Sequence, residues 1–130
     1  VEAYQHAGIG LPVCPILNAG RGEIAAAMYE RKKDKWSQYM VEQITTVDTL
    51  CSQIATRTVF CGQITVAIAT MLREMLGEKA VIVSSAVDWR RAGFLAELGL
   101  KRFNNGDYDD PVTLQPLYLR GPAITKAKHR

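Results

Sequence analysis

The side chains that could perform chemistry are few and widely separated. The two histidines, His6 and His129, lie near opposite ends of the sequence, so neither is a convincing metal ligand or general base. Asp107, Asp109 and Asp110 could in principle hold a hard cation, but they lack the spacing and the terminal Glu of a calcium loop. A solvated loop is the favoured interpretation, since Asp and Asn are common turn residues. With no glycine-rich phosphate loop either, the sequence predicts no catalytic site, metal or cofactor.

The three cysteines are better explained by packing than by chemistry. Cys14 and Cys61 lie inside apolar, strand-like runs, Cys51 lies in a predicted helix, and none forms a Cys-x-x-Cys pair. Buried, reduced thiols of a cytosolic protein account for this arrangement. Metal binding and nucleophilic catalysis are the alternatives.

The charge pattern does not by itself predict a nucleic-acid partner, because the net charge is only +3. Basic residues concentrate in residues 31–35 and in the tail 126–130. We interpret these as a solvated turn and a frayed terminus, with electrostatic steering toward RNA as the alternative. No apolar run approaches the length of a membrane span, and the first residues do not resemble a signal peptide. We therefore expect a cytoplasmic protein with no membrane partner.

The elements that would position these residues follow from the apolar pattern, which predicts one compact domain. Three consecutive strands come first, and helices then alternate with strands. The predicted ranges are 12–19, 24–29 and 36–46 for the first strands with a charged hairpin tip at 31–35, then 47–54, 58–61, 64–76, 80–83 and a last helix that ends at 104–107. Three antiparallel strands extended by right-handed crossovers give an α/β fold, a five-stranded mixed sheet flanked by helices. This arrangement matches one lobe of the ribonuclease H-like, actin-type ATPase fold.

The turn between the first two strands is the segment with the clearest local signals. Residues 18–22 supply it, and Gly20 and Gly22 are free to take positive φ. Arg21 and Glu23 flank Gly22 at the start of a strand. There a charged pair could face a cleft, or it could remain exposed and contribute little.

The last helix and the closing segment carry expectations about packing. Ser85 and Asp88 resemble a capping box, the helix places its large apolar side chains on one side, and Gly99 could divide it. Downstream, the three consecutive apolar residues 117–119 are unlike an exposed tail. We therefore expect residues 116–120 to pack back on the domain and complete its core.

Two segments resemble the TsaB (also called YeaZ) family. The run 16–24, Ile-Leu-Asn-Ala-Gly-Arg-Gly-Glu-Ile, is similar to the strand and Asp-Ala-Arg-Arg-Gly-Glu-Val-Tyr turn that open the second lobe in that family. The run 114–125 contains Leu-Gln-Pro-Leu-Tyr-Leu-Arg-Gly-Pro and is similar to the closing Leu-x-Pro-x-Tyr-Leu-Arg-x-Pro segment. Asn18, Gly20 and Ala25 depart from the Asp, Arg and Tyr that are usual there.

The resemblance implies the C-terminal lobe of a two-lobe protein. Residues 1–10 would be the end of an inter-lobe helix, 11–125 the lobe itself and 126–130 a basic tail. The chain begins with Val1 rather than Met, which we interpret as part of a longer protein. The motif residues with an implied structural or interface role are Asn18, Arg21, Gly22, Glu23, Tyr118 and Arg120.

The function that the resemblance implies is that of a non-catalytic partner. TsaB proteins hold and activate TsaD, which transfers a threonylcarbamoyl group to an adenosine of tRNA, and TsaE joins as an ATPase. We therefore expect a scaffold or activator subunit with a TsaD-like paralogue and a TsaE-like ATPase as partners. It would meet tRNA only indirectly, and the resemblance also allows a homodimer. Nothing in the sequence supports peptide hydrolysis.

Two alternatives remain open. The chain could be a lobe of a catalytically active TsaD-like transferase or of another actin-type ATPase. Both need phosphate-binding hairpins on a partner lobe, and TsaD also needs a histidine pair upstream of Val1. The chain could instead be a standalone module that binds tRNA with its basic hairpin, which predicts binding that weakens steeply with salt.

Overall fold

The computed structural model describes residues 10–33, 35–83 and 92–121. The elements follow the order that the sequence predicts, three strands and then alternating helices and strands. Their bounds are β1 Val13–Gly20, β2 Glu23–Lys32, β3 Lys35–Thr45, α1 Val47–Gln53, β4 Thr58–Gly62, α2 Val66–Leu76, a 3₁₀ turn Gly77–Lys79, β5 Ala80–Ile82 and α3 Ala92–Asn104.

Some expectations lie outside the described residues. They are the end of an inter-lobe helix before Gly10, the capping box at Ser85 and Asp88, and the basic tail 126–130. The charged hairpin tip can be compared in part. The tip is shorter than the predicted residues 31–35, because β2 extends to Lys32 and β3 begins at Lys35.

The five strands form one mixed sheet in the order β3-β2-β1-β4-β5. The pairs β1–β2 and β2–β3 are antiparallel, whereas β1–β4 and β4–β5 are parallel. Helix α1 connects β3 to β4, and α2 connects β4 to β5. The predicted five-stranded mixed sheet is therefore confirmed, with β1 at its centre between β2 and β4.

Two threonine side chains cap the N-termini of α1 and α2. Thr46 Oγ1 accepts the backbone N–H of Thr49 at 3.2 Å, and Thr65 Oγ1 accepts that of Ile68 at 3.3 Å. Such caps satisfy backbone donors that have no partner within the helix. The predictions that placed Thr46 in the third strand and Ile64 in the second helix are therefore wrong, because both positions precede a capped helix.

The main core lies between the sheet and helices α1 and α2. Its largest fully buried side chains are Phe60, Ile16, Leu50 and Leu72. A smaller cluster, formed by Val13, Val59 and Cys61, is built from alternate positions of the same central strands. Because successive side chains of a strand point to opposite faces, β4 and the first half of β1 are buried on both faces, and residues 13–17 and 59–61 are apolar.

Trp36 brings an unpaired polar atom to the smaller cluster. Its indole Nε1 is buried, and no described residue accepts a hydrogen bond from it. A buried donor without a partner costs about 1–3 kcal/mol, so removing it should offset much of the apolar area lost with the larger ring. We expect Trp36→Phe to change the free energy of unfolding in urea by less than about 1 kcal/mol. A much larger loss would contradict an unpaired indole.

Helix α3 departs most from expectation. None of its side chains is buried, and its large apolar residues are exposed. The helix is continuous through Gly99, so the predicted division is wrong. Glu97 and Lys101 form an ion pair one turn apart on its surface at 3.3 Å. No described helix has the length and apolar content that crossing a membrane requires.

The closing segment is not part of the core. Tyr118 is 79% exposed and Leu117 is 75% exposed. The prediction that residues 116–120 pack back and complete the core is therefore wrong. Apolar burial does not hold this segment. Its described contact with the sheet is the ion pair of Arg120 with Glu23, which needs little buried area.

Candidate functional site

The β1–β2 turn contains most of the residues that the sequence singled out. Gly20 and Glu23 are paired, which leaves Arg21 and Gly22 as a two-residue hairpin turn. Both have positive φ, +57° and +78°, as a type I′ turn requires, and this turn matches the twist of the flanking strands. Gly20 also has a positive φ of +78°, so the predicted use of both glycines is confirmed. Glycine suits position 20 better than the family's Arg, given this backbone.

Asn18 stabilises the entry to this turn through two hydrogen bonds. Its Oδ1 accepts the backbone N–H of Gly20 at 2.8 Å, and its own backbone N–H donates to Gln63 Oε1 at 2.9 Å. The first of these is the contact that Asn and Asp commonly make two residues further along a turn. Since an aspartate oxygen would accept the same N–H, the exchange of Asp for Asn preserves the contact.

The end of β4 supports β1 beside the turn. Gln63 N–H donates to the Ile16 carbonyl oxygen at 2.7 Å. Gly62 has a φ of +99°, and a Cβ built there would collide with the same carbonyl oxygen. Sequence reasoning placed a strand end at Gly62 but missed the role of Gln63. The available signal was a glycine after an apolar run, and it does not reveal which strand lies alongside.

Glu23, the first residue of β2, forms an ion pair with Arg120. The two side chains are 33% and 38% exposed, so the pair is partly shielded from water. This contact joins the turn to the last part of the described chain. The sequence suggested neighbouring Arg21 as a partner for Glu23, but Arg21 is exposed and the carboxylate of Glu23 binds Arg120 instead.

The structure brings together all of the motif residues except the ring of Tyr118. Residues 18–23 form one turn, and the guanidinium of Arg120 attaches to it. Tyr118 lies two residues earlier and its side chain points largely into solvent. The result is a turn that presents charged groups on the surface. Charged surface groups of this kind can bind a partner protein. The turn does not place a general acid beside a general base, as catalysis would require.

The acidic cluster near α3 is occupied by protein donors. Arg102 binds the two carboxylate oxygens of Asp107 at 3.0 and 3.2 Å and reaches Asp109 at 3.4 Å. Hydrogen bonding from Arg102 lowers the pKa of the Asp107 carboxyl. Asp110 Oδ1 accepts the backbone N–H of Val112 at 2.9 Å. These contacts support the loop interpretation, and the described residues contain no group of side chains suited to a metal ion.

The three cysteines are buried and form no disulfide bond with one another, as the sequence predicts. Burial raises the pKa of the Cys14 thiol to about 12 and also raises that of Cys51. Because the thiolate is the reactive form, we expect a disulfide reagent at about pH 8 to label no thiol in the folded chain. All three should react once the chain is denatured. Rapid labelling of Cys14 in the folded state would contradict this burial.

Comparison with known proteins identifies the fold. No protein-family model matches the sequence, and no curated protein matches it. Among solved structures, the chain is similar to the crystal structure of an uncharacterized protein from Pseudomonas aeruginosa with similarity to peptidase YeaZ. The two share 16% sequence identity at a TM-score of 0.59, and the match covers 92% of this chain and 53% of that chain. This chain has a YeaZ-like fold.

The YeaZ-like fold agrees with the fold class expected from the order of elements. An α/β lobe of the ribonuclease H-like, actin-type kind is therefore confirmed at the level of fold. The chain spans about half the length of the solved structure that it matches. Within this YeaZ-like fold, the β1–β2 turn and the end of β4 lie side by side, because β1 and β4 are parallel neighbours.

Proposed function

We propose that this chain is the C-terminal lobe of a TsaB-type protein, a non-catalytic scaffold and activator subunit. Its partner is a TsaD-like transferase that makes N6-threonylcarbamoyladenosine in tRNA, and a TsaE-like ATPase completes the complex. In this proposal the protein contacts tRNA only through the transferase, and it acts in the cytoplasm.

The observation that carries the proposal is the ion pair between Glu23 and Arg120. Each residue belongs to one of the two segments that resemble TsaB, and these segments lie near opposite ends of the described chain. Two sequence motifs that resemble the same family independently are thus joined in space. The YeaZ-like fold supports the same assignment.

Binding fits the described residues better than catalysis does. A peptidase, the class named for YeaZ in the similar structure, commonly uses a nucleophile that an adjacent base activates. Burial instead raises the pKa of Cys14 far above the reactive range. The carboxylates of Asp107 and Asp109 are engaged by Arg102. At the β1–β2 turn, the exposed side chain of Arg21 is the kind of group that a partner protein recognises.

Reconstitution with tRNA tests the proposal. The complete protein that contains this chain is combined with its TsaD-like and TsaE-like partners, threonylcarbamoyl-adenylate and unmodified tRNA. The modified nucleoside is then measured by mass spectrometry. We expect its formation to depend on this protein, and Glu23→Ala to slow it about fivefold, the equivalent of about 1 kcal/mol of lost binding. Glu97→Ala is the matched control, since it breaks the exposed ion pair with Lys101 on α3.

Three results would contradict the proposal. Equal yields with and without this protein would exclude a scaffold or activator role. Modification without the TsaD-like partner would instead favour a catalytically active transferase lobe. Tight tRNA binding by the chain alone, weakening steeply as salt rises, would favour a standalone module that uses the basic hairpin.

A further inference from the structure

A cavity lies at the opposite end of β4 from the β1–β2 turn. Its volume is about 460 Å³, and it is lined by Arg57, Arg73, Gly77, Glu78, Ala80 and Val81. Arg57 directly precedes β4, whereas Gly62 ends it, so the whole strand separates this cavity from the turn. Because the cavity lies away from the β1–β2 turn, ligand binding there does not depend on the proposed scaffold role.

The two arginines of the cavity have no acidic partner among the described residues. Neither Arg57 nor Arg73 makes an ion pair or a side-chain hydrogen bond there, whereas Arg102 and Arg120 both bind carboxylates. Arg73 lies in the last turn of α2, where its charge complements the negative end of the helix dipole. That role applies to Arg73 alone, because Arg57 lies outside the helix, with its side chain exposed to solvent.

We propose that this cavity binds a small oxyanion, a carboxylate or a phosphate group, between Arg57 and Arg73. Planar guanidinium groups bind both anions through paired, charge-assisted hydrogen bonds. The pocket is open to solvent, so it suits the anionic group of a ligand and not a ligand enclosed on all sides. The half-buried Ala80 and Val81 supply an apolar wall for the rest of such a ligand.

Glu78 restricts the kind of anion that the cavity accepts. Its carboxylate lines the same cavity and repels a polyanion such as a nucleic-acid backbone. The same carboxylate accepts hydrogen bonds, so it favours a ligand with a hydroxyl or amine donor near its anionic group. The C-terminal end of α2 also repels anions, so the attraction comes from the two guanidinium groups.

An NMR titration of the full chain tests this inference. Sodium phosphate and sodium acetate are added separately at constant ionic strength, and the amide signals of Gly77, Glu78 and Val81 are followed. We expect saturable shifts, and we expect Arg57→Gln and Arg73→Gln each to raise the dissociation constant about tenfold. Glu78→Gln should lower the dissociation constant for phosphate, because it removes a like charge.

Lys35→Gln is the matched control, since it removes one positive charge from β3 at the other edge of the sheet. It should leave both dissociation constants unchanged, and melting temperatures verify that every variant is folded. Tighter phosphate binding would indicate a phosphate monoester as the ligand, and tighter acetate binding a carboxylate. Shifts that do not saturate, or an equal loss with Lys35→Gln, would overturn the proposal, because general charge screening would then explain the data.

Discussion

Gly62→Ala is expected to lower the free energy of unfolding by about 1.5–4.5 kcal/mol. A side chain at a φ of +99° is strained in any surroundings, and strain of this kind costs about 1–3 kcal/mol. The added Cβ would also collide with the carbonyl oxygen of Ile16, which accepts the hydrogen bond of Gln63. Relieving the collision separates β1 from β4 and weakens that bond, which adds about 0.5–1.5 kcal/mol. Urea denaturation followed by circular dichroism measures the loss.

Two other glycines provide controls for the same substitution. Gly106 has a positive φ of +71° but open space around it, so Gly106→Ala should cost only the backbone strain, about 1–2 kcal/mol. Gly99 lies in the interior of α3 with neither restriction, so Gly99→Ala should stabilise the chain by about 0.5–1 kcal/mol. If Gly62→Ala cost no more than Gly106→Ala, the close approach of β1 and β4 would be contradicted.

The fold could be predicted because its main signals are local. The apolar runs at 12–19 and 58–61 predicted two strands, and β1 and β4 confirm both. Gly77, with its positive φ, ends α2 where the sequence placed its end. The boundaries at Thr46 and Thr65 were missed because threonine suits both a strand and a helix cap. Propensity alone does not decide between these two uses.

The candidate site could be predicted only in part, because its supports are long-range. Gly20 and Gly22 identified the turn, since both can adopt positive φ without a steric penalty. The hydrogen bond of Asn18 with Gln63 and the ion pair of Glu23 with Arg120 join residues that no periodicity relates. The prediction that the closing segment packs on the domain was wrong for the same reason. Its apolar residues indicate a preference for burial, but the sequence does not reveal whether a surface is available to cover them.

Phe60→Ala is expected to produce the largest loss of stability in the chain, about 3–5 kcal/mol. Phe60 is fully buried on β4, with Cys14 of β1 and Ile82 of β5 beside it in the sheet. It belongs to the cluster that joins the sheet to Leu50 of α1 and Leu72 of α2. Removing the ring leaves a cavity that these well-packed neighbours fill only partly. A domain of this size has a total stability of about 5–15 kcal/mol, so thermal unfolding should begin at least about 10 °C earlier.

Phe103→Ala removes the same aromatic ring from α3. Comparing it with Phe60→Ala separates the effect of burial on stability from the effect of losing a ring. Phe103 is 67% exposed, and its described ring contact is with Tyr108 at a centroid distance of 6.0 Å. Such an aromatic pair contributes about 0.5–1.5 kcal/mol, so the loss should be several times smaller than at Phe60. Equal losses would contradict the exposure of α3, because a ring that stabilises the fold as much as Phe60 must itself be buried. A small loss at Phe60 would instead contradict the core between the sheet and helices α1 and α2.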